Sequence, residues 1–304
     1  PLPAAGAAAG AARHPPADAP AFRARAVAFP GAAGSAQPRL SLGADGKPIL
    51  SWLEPADDGA VLRYASIDAA AFSAPGEVVR GDDLMVNWAD MPSVQPITAD
   101  VWAAHWLRLD AEKPGAYHIA TAVSKDAGVT WSPPVQLNDD SAAAEHGFVD
   151  LFAWDGAIGA FWLDGRELAE WSFDEPDKLL GTSLRVAELD YSGNVVAREI
   201  VDELVCDCCQ PDRAMTSSGP VVAYRDRTPD EIRDVVVRRH VDGAWAAAVG
   251  TGAEGWHIEG CPVNGPAIAA AGERGAVAWF TAGGGMPRAG FGSAADGGAA
   301  ARAG

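Results

Sequence analysis

Basic side chains are scarce in this chain: 23 Lys and Arg stand against 41 Asp and Glu in 304 residues, a formal charge of −18. Contact with nucleic-acid phosphates needs a basic face, so nucleic acid is not an expected partner. Charge of this sign mainly keeps a protein soluble. Long apolar runs are missing too, and no stretch approaches the roughly 18 residues of a membrane span, so a membrane-spanning protein is not expected. The first 20 residues, PLPAAGAAAGAARHPPADAP, lack the charged head and apolar core of an export signal. Their Pro- and Ala-rich composition reads as a disordered linker left after such a signal is removed. That places the chain outside the cytoplasm, periplasmic or extracellular, with the linker as a candidate surface tether.

What is abundant is punctuation and aromatic side chains: 34 Gly, 22 Pro and 11 Trp, with 4 Cys. Five stretches end in an aromatic at nearly equal intervals of 54 to 62 residues: Trp52, Trp106, Trp162, Tyr224 and Trp279. In each, a short apolar run turns at Gly, Asp or Asn and returns through an alternating strand carrying the aromatic, with a third and fourth strand behind. Repeats of this length with four short strands are the pattern of β-propeller blades. In the second repeat Ser124, Asp126, Gly128, Thr130 and Trp131 spell S-x-D-x-G-x-T-W, which resembles an Asp box, a motif that folds the turn between third and fourth strands. Asp suits such a hairpin because it accepts from local N–H groups, and Gly because it tolerates positive φ.

The two ends do not match. Residues 22–29 sit where a fourth strand would precede the first repeat, and the fifth repeat breaks off near its own third-to-fourth turn. The expectation is therefore an all-β, six-bladed β-propeller with the last blade incomplete: residues 1–20 a linker, residues 21–304 one domain of five blades plus an N-terminal closing strand. The alternative is a five-bladed ring with a ragged tail.

Strand alternation puts the turn after each second strand and the connection into each next blade on one face. Onto that face fall Asp164, Arg166, Arg225, Asp226, Arg227, Glu231 and Arg233, together with connections holding Glu145, His146, His257, Asn264 and all four cysteines. Functional loops gathered at one end of a rigid scaffold are the usual arrangement. His105, His118 and His240 lie on strands and read as structural.

From about residue 38 to 290 the chain resembles the sialidase (neuraminidase) superfamily. More narrowly it is similar to bacterial exported exo-α-sialidase-like proteins, through Met85–Pro96, Glu145–Phe148, Trp162–Arg166, Cys206–Gln210, Tyr224–Asp234 and Gly260–Ala267. The resemblance implies a glycosidase that grips an acidic sugar with arginines and uses an Asp acid/base with a Tyr nucleophile helped by Glu. Only the planar guanidinium gives a carboxylate two parallel charge-assisted bonds. Arg166, Arg225, Arg227 and Arg233 are the candidate grips, with His146, His257 and Asn264 beside them. Asp164, Asp226, Glu145 and Glu231 are the candidate acid, base or helper groups. The early Arg-Ile-Pro signature is absent, its nearest string being Pro38-Arg39-Leu40, and the nucleophilic Tyr would belong to the missing blade. The plainer reading of Asp164-Gly165-Arg166 and Arg225-Asp226-Arg227 is turn chemistry and loop salt bridges.

Cys206, Cys208 and Cys209 lie in one connection and Cys261 in the next. An even count in an exported protein favours disulfides. The competing reading is a thiolate site for copper or zinc, joined by His146 or His257, although the spacing is not that of a usual zinc knuckle. No other cofactor is expected. Two functions follow: a sialidase-like exported hydrolase of acidic glycans, or a non-catalytic propeller binding a ligand, partner or metal through its cysteine-rich face. One fold hosts both, so the site must decide.

Overall fold

The computed structural model describes residues 25–43, 45–68, 71–170, 180–252, 254–295 and 298–303. These residues form five antiparallel sheets and no α-helix. The first sheet holds β1 (Ala36–Leu42), β2 (Pro48–Ala56), β3 (Gly59–Asp68), β4 (Ala71–Phe72) and β5 (Gly76–Gly81). The second holds β6 (Ser93–Pro96), β7 (Trp102–Leu109), β8 (Tyr117–Ser124) and β9 (Val135–Gln136). In the third are β10 (His146–Trp154), β11 (Ala157–Asp164), β12 (Thr182–Leu189) and β13 (Val195–Val205). The fourth runs through β14 (Asp212–Thr216), β15 (Gly219–Arg225), β16 (Val235–Val241), β17 (Ala244–Trp245) and β18 (Val249–Gly250). The last is β19 (Ala267–Ala271), β20 (Arg274–Thr281), β21 (Arg288–Ala295) and β22 (Gly298–Ala303).

Each sheet is a meander through its first four strands, and in the first and fourth sheets the fifth strand pairs with the third, β5 with β3 and β18 with β16; this is the expected propeller blade. First strands of successive sheets lie side by side, β1 against β6, β6 against β10 and β14 against β19. The core lies between neighbouring sheets. Leu53 and Leu62 of the first meet Trp106 and Ala122 of the second, while Val123 and Leu137 of the second meet Val149, Leu151 and Trp162 of the third. Phe152, Phe161 and Val186 of the third meet Val222 and Tyr224, and Val221 and Val237 meet Ile268 and Trp279. All five repeat aromatics sit on second strands and are at most 5% exposed. Truncating such a residue typically costs about 3–5 kcal/mol.

Two expectations about the ends change. Residues 25–29 form no strand; Phe29 packs edge-on against Trp52, ring centroids 5.1 Å apart. Residues 1–24, including the linker and the start of the expected closing strand, lie outside the described residues. The fifth sheet does not stop at its third strand, because β22 pairs with β21 from Gly290↔Ala303 to Ala295↔Gly298. Five sheets are thus described, and the sixth blade remains an expectation drawn from the sequence.

The turn after β8 shows how local sequence sets local structure. Asp126 Oδ1 accepts from Thr130 N and from Ser124 Oγ, both at 2.8 Å, and Oδ2 accepts from Thr130 Oγ1 at 2.6 Å. Gly128 takes φ +87°, the left-handed region glycine tolerates, and its carbonyl accepts from Tyr64 Oη of the first sheet at 2.7 Å. Trp131 packs at that seam beside Tyr64.

Candidate functional site

The loop cluster expected on one face is assembled by strand register. His146 opens β10 opposite Asp164, Asp164 ends β11 opposite Ser183, and Thr182 opens β12 opposite Val205, after which Cys206 begins the next connection. Cys206 N donates to Arg225 O at 3.0 Å, and Gln210 Nε2 donates to Phe148 O at 3.0 Å. The cysteine-bearing connection, the end of β11 and the end of β15 therefore share one end of the sheets.

Asp164 is fully buried and has four partners. Trp162 Nε1 donates to Oδ2 at 2.8 Å, and Arg166 grips both oxygens through Nε (2.8 Å) and Nη2 (2.7 Å). The Arg166 main-chain N–H adds a bond to Oδ1 at 3.2 Å, and Arg185 Nε stands at 3.6 Å from Oδ2. Burial raises this carboxyl, but the Arg166 bonds, the nearby His146 and Trp162 outweigh it and hold Asp164 below its ordinary value. Arg166 also bonds Asp139 (2.7 Å) and Asp140 (3.0 Å). His146 is equally buried: Nδ1 donates to Tyr117 O at 3.0 Å, and Nε2 faces Asp140 at 3.2 Å and Asp164 at 3.5 Å. Asp140, His146 and Asp164 bring ligand atoms within 4.8 Å of one another, but the Arg166 fork already supplies the positive charge a cation would bring. This group is an ion network that fixes the end of β11.

A second network lies beyond β15. Glu231, at φ +56°, is clamped by two arginines: Arg227 through Nε (3.0 Å) and Nη2 (2.6 Å), and Arg233 through Nε (3.1 Å) and Nη2 (2.9 Å). The Arg227 bonds, then those of Arg233, hold Glu231 below the usual carboxylate range despite some burial. Arg225 is walled in. Its Nη1 donates to Arg233 O, its Nη2 to Asn264 O, Asn264 Oδ1 and Phe280 O, and Trp256 stacks on its guanidinium at 4.9 Å. Arg225 and Asn264 thus secure two connections to each other. Asp226 has a different character: burial, then the charge of Asp202, pushes its carboxyl up to about 6. His257 is exposed and pairs through its main chain with Ile232.

A third group includes one expected residue and two that sequence reasoning missed. Asn87 Oδ1 accepts from Ala89 N (2.9 Å) and Asp90 N (2.8 Å), a turn with Trp88 outward, 76% exposed, and Asp90 inward. Asp90 Oδ2 accepts from Phe148 N at 2.7 Å, and Gln37 Nε2 donates to its carbonyl at 2.6 Å. Burial drives the Asp90 carboxyl up to about 7 against the pull of the Phe148 N–H and Arg39. Glu145, exposed at the entrance to β10, accepts from Tyr117 Oη at 3.4 Å. Burial and then the charges of Glu145 and Asp90 raise the Tyr117 hydroxyl, so it stays a neutral donor. The signal for Asp90 was available, since its connection was placed on this face; nothing local marks Tyr117, which pairs across 28 residues.

All four cysteines are free thiols, and no pair is at bonding distance; Cys206 and Cys209 Sγ are 3.1 Å apart. Cys206 and Cys209 are buried, Cys208 half-buried and Cys261 exposed.

No family model matches the chain, and no curated protein does. Among solved structures the backbone is similar to a neuraminidase-like protein from A/bat/Guatemala/164/2009, at TM-score 0.51 and 10% identity, covering 85% of this chain and 70% of that one. It is also similar to an α-L-arabinofuranosidase from Fusarium graminearum in complex with an iminosugar inhibitor, at TM-score 0.50 and 12% identity, covering 85% and 76%. The likeness is one of fold: an all-β propeller of the kind that glycosidases and neuraminidase-like proteins share.

Proposed function

We propose that this propeller is a glycoside hydrolase that binds a sugar at the loop face over Trp88, with Glu145 as the reacting carboxylate. The observation that carries the reading is the Asp90–Tyr117–Glu145 group. Glycoside hydrolysis needs two carboxyl groups in unlike surroundings, one holding a proton near neutral pH and one ionised. Buried Asp90, pushed up to about 7, is the carboxyl that holds its proton, and the second carboxyl, Glu145, lies in contrasting, exposed surroundings. Tyr117 donates to Glu145 and orients it; with its hydroxyl raised it is a positioning residue and not a nucleophile. An exposed indole such as Trp88 offers a flat apolar face to a sugar ring.

The finer reading is an exported sialidase-like enzyme for acidic glycans. Its support is the Arg227–Arg233 clamp, which already grips a carboxylate with two guanidinium groups, Arg227 Nη2 on one oxygen and Arg233 Nη2 on the other. Glu231 holds that position in this chain, so an acidic ligand must displace it, and Arg166 and Arg225 are committed elsewhere.

The test is hydrolysis of para-nitrophenyl sialoside and α-L-arabinofuranoside by the unaltered protein, Glu145→Gln and Asp90→Asn. Turnover lost in Glu145→Gln and shifted in pH profile in Asp90→Asn is expected. Wild-type turnover in Glu145→Gln, or none by the unaltered protein, overturns the hydrolase reading. Preference for the neutral over the acidic glycoside, unchanged in Glu231→Gln, would leave hydrolysis standing and remove the acidic specificity.

A further inference from the structure

The connection from β13 to β14 carries a feature the hydrolase reading does not use. Cys206, Cys208 and Cys209 bring their three sulfurs within 4.8 Å of one another, in a pocket where Cys206 and Cys209 are each 1% exposed. The exposed Cys261, in the next connection round, is the fourth thiol and lies outside this group of three. Cys206-Asp-Cys-Cys209 has Cys-x-x-Cys spacing, which lets one loop turn two thiolates toward one ion. Donors gather on Cys206: the Cys208 main-chain N–H bonds its sulfur, and Arg233 Nη1 lies 3.5 Å away. N–H groups and a guanidinium aimed at sulfur stabilise a thiolate, the form that ligates metals.

A single disulfide accounts for this cluster poorly. Any one bridge within the trio leaves a third sulfur packed against it, and the 3.1 Å between Cys206 and Cys209 is non-bonded. An ion uses all three at once. We propose that Cys206, Cys208 and Cys209 bind one thiophilic d10 cation, copper(I) or zinc(II), with Cys261 closing the set from the neighbouring connection. Sulfur-only donors select such ions over the hard cations that prefer oxygen. Each ligating thiol gives its proton to solvent as the ion enters, so binding strengthens as pH rises. The thiolates leave the complex negative, and Arg233, held at its other edge by Glu231 and 3.5 Å from Asp207, offsets part of that charge. The bound ion would tie the third, fourth and fifth sheets together at the loop face. None of this depends on the hydrolase reading.

The experiment uses the full chain, reduced and metal-free, titrated separately with zinc(II) and copper(I) against a chromogenic chelator, with free thiols counted before and after. One equivalent of one of these ions, bound at a micromolar Kd or tighter, with at least three thiols protected, is expected; which ion binds more tightly identifies it. Cys209→Ser should weaken binding by roughly 100-fold or more, and Cys261→Ser reports whether the fourth sulfur ligates. Failure to bind either ion overturns the proposal. So does an affinity unchanged in Cys209→Ser, or a freshly isolated chain whose intact mass is short two hydrogens through a Cys206–Cys209 bridge. The titration of the unaltered chain decides even if a variant fails to fold.

Discussion

Gly147 lies so close to Asp90 that a Cβ on it would fall 1.8 Å from Asp90 Oδ2. The missing side chain lets the Asp90 carboxylate reach the Phe148 N–H, and so joins the connection before β6 to the start of β10. Gly147→Ala should expel that carboxylate and leave a buried N–H unsatisfied, at about 1–3 kcal/mol. Urea unfolding checks this; an unchanged midpoint would show that the contact does not matter.

Asp90 also sets a pH dependence. Its carboxyl titrates near 3.8 in the unfolded chain and at about 7 in the folded one. Between those values the folded protein holds the proton more tightly, so stability falls as pH rises from about 4 to about 7 and then levels off. Asp90→Asn should remove this contribution. Urea midpoints across that range, compared between the two proteins, give the slope.

Asp126 behaves oppositely. Bonds from Thr130 and Ser124 hold its carboxyl below 3.8, so its contribution is present above that value and lost as pH falls through the folded pKa. Asp126→Ala removes the acceptor of the Thr130 and Ser124 bonds that fold this turn, and should lower the midpoint of thermal unfolding at neutral pH.

Arg225 is expected to be a structural arginine. Arg225→Met removes the donor on four carbonyl or amide oxygens, in one buried and three part-buried bonds, at about 3 kcal/mol. Calorimetry should show a large fall in Tm. Loss of turnover with the fold intact would instead restore Arg225 to the binding site.

The blade pattern was legible because burial has a period. Trp52, Trp106, Trp162, Tyr224 and Trp279 each occupy the buried register of a second strand, and their spacing follows from the repeat. The shared loop face was legible for the same reason, since alternation of strand direction decides it. What the loops do with their charges was not, because partners are chosen across long separations: Tyr117 with Glu145, Asp90 with Phe148, Arg225 with Asn264 and Phe280. One local sign did exist. Trp52 Nε1 bonds Glu54 (3.1 Å) and Trp162 Nε1 bonds Asp164 (2.8 Å), each carboxylate two residues further along the same strand. An acid two places beyond a core Trp satisfies the indole, which gives Asp164 a part in the fold. The fourth strand of the last sheet was missed because its Ala- and Gly-rich sequence, GAAARA, has no alternation of apolar and polar residues.

Asp150 of β10 has one further consequence. It meets Arg39 of β1 and Arg213 of β14, each at 3.0 Å, so a single carboxylate rivets three sheets whose strands are far apart in sequence. That junction cannot set until the fourth blade has been synthesised. A nascent chain halted before Arg213 would hold Arg39 and Asp150 with one arm of the rivet missing, and final tightening of the assembly is expected late, at the slow pace typical of distant strand contacts.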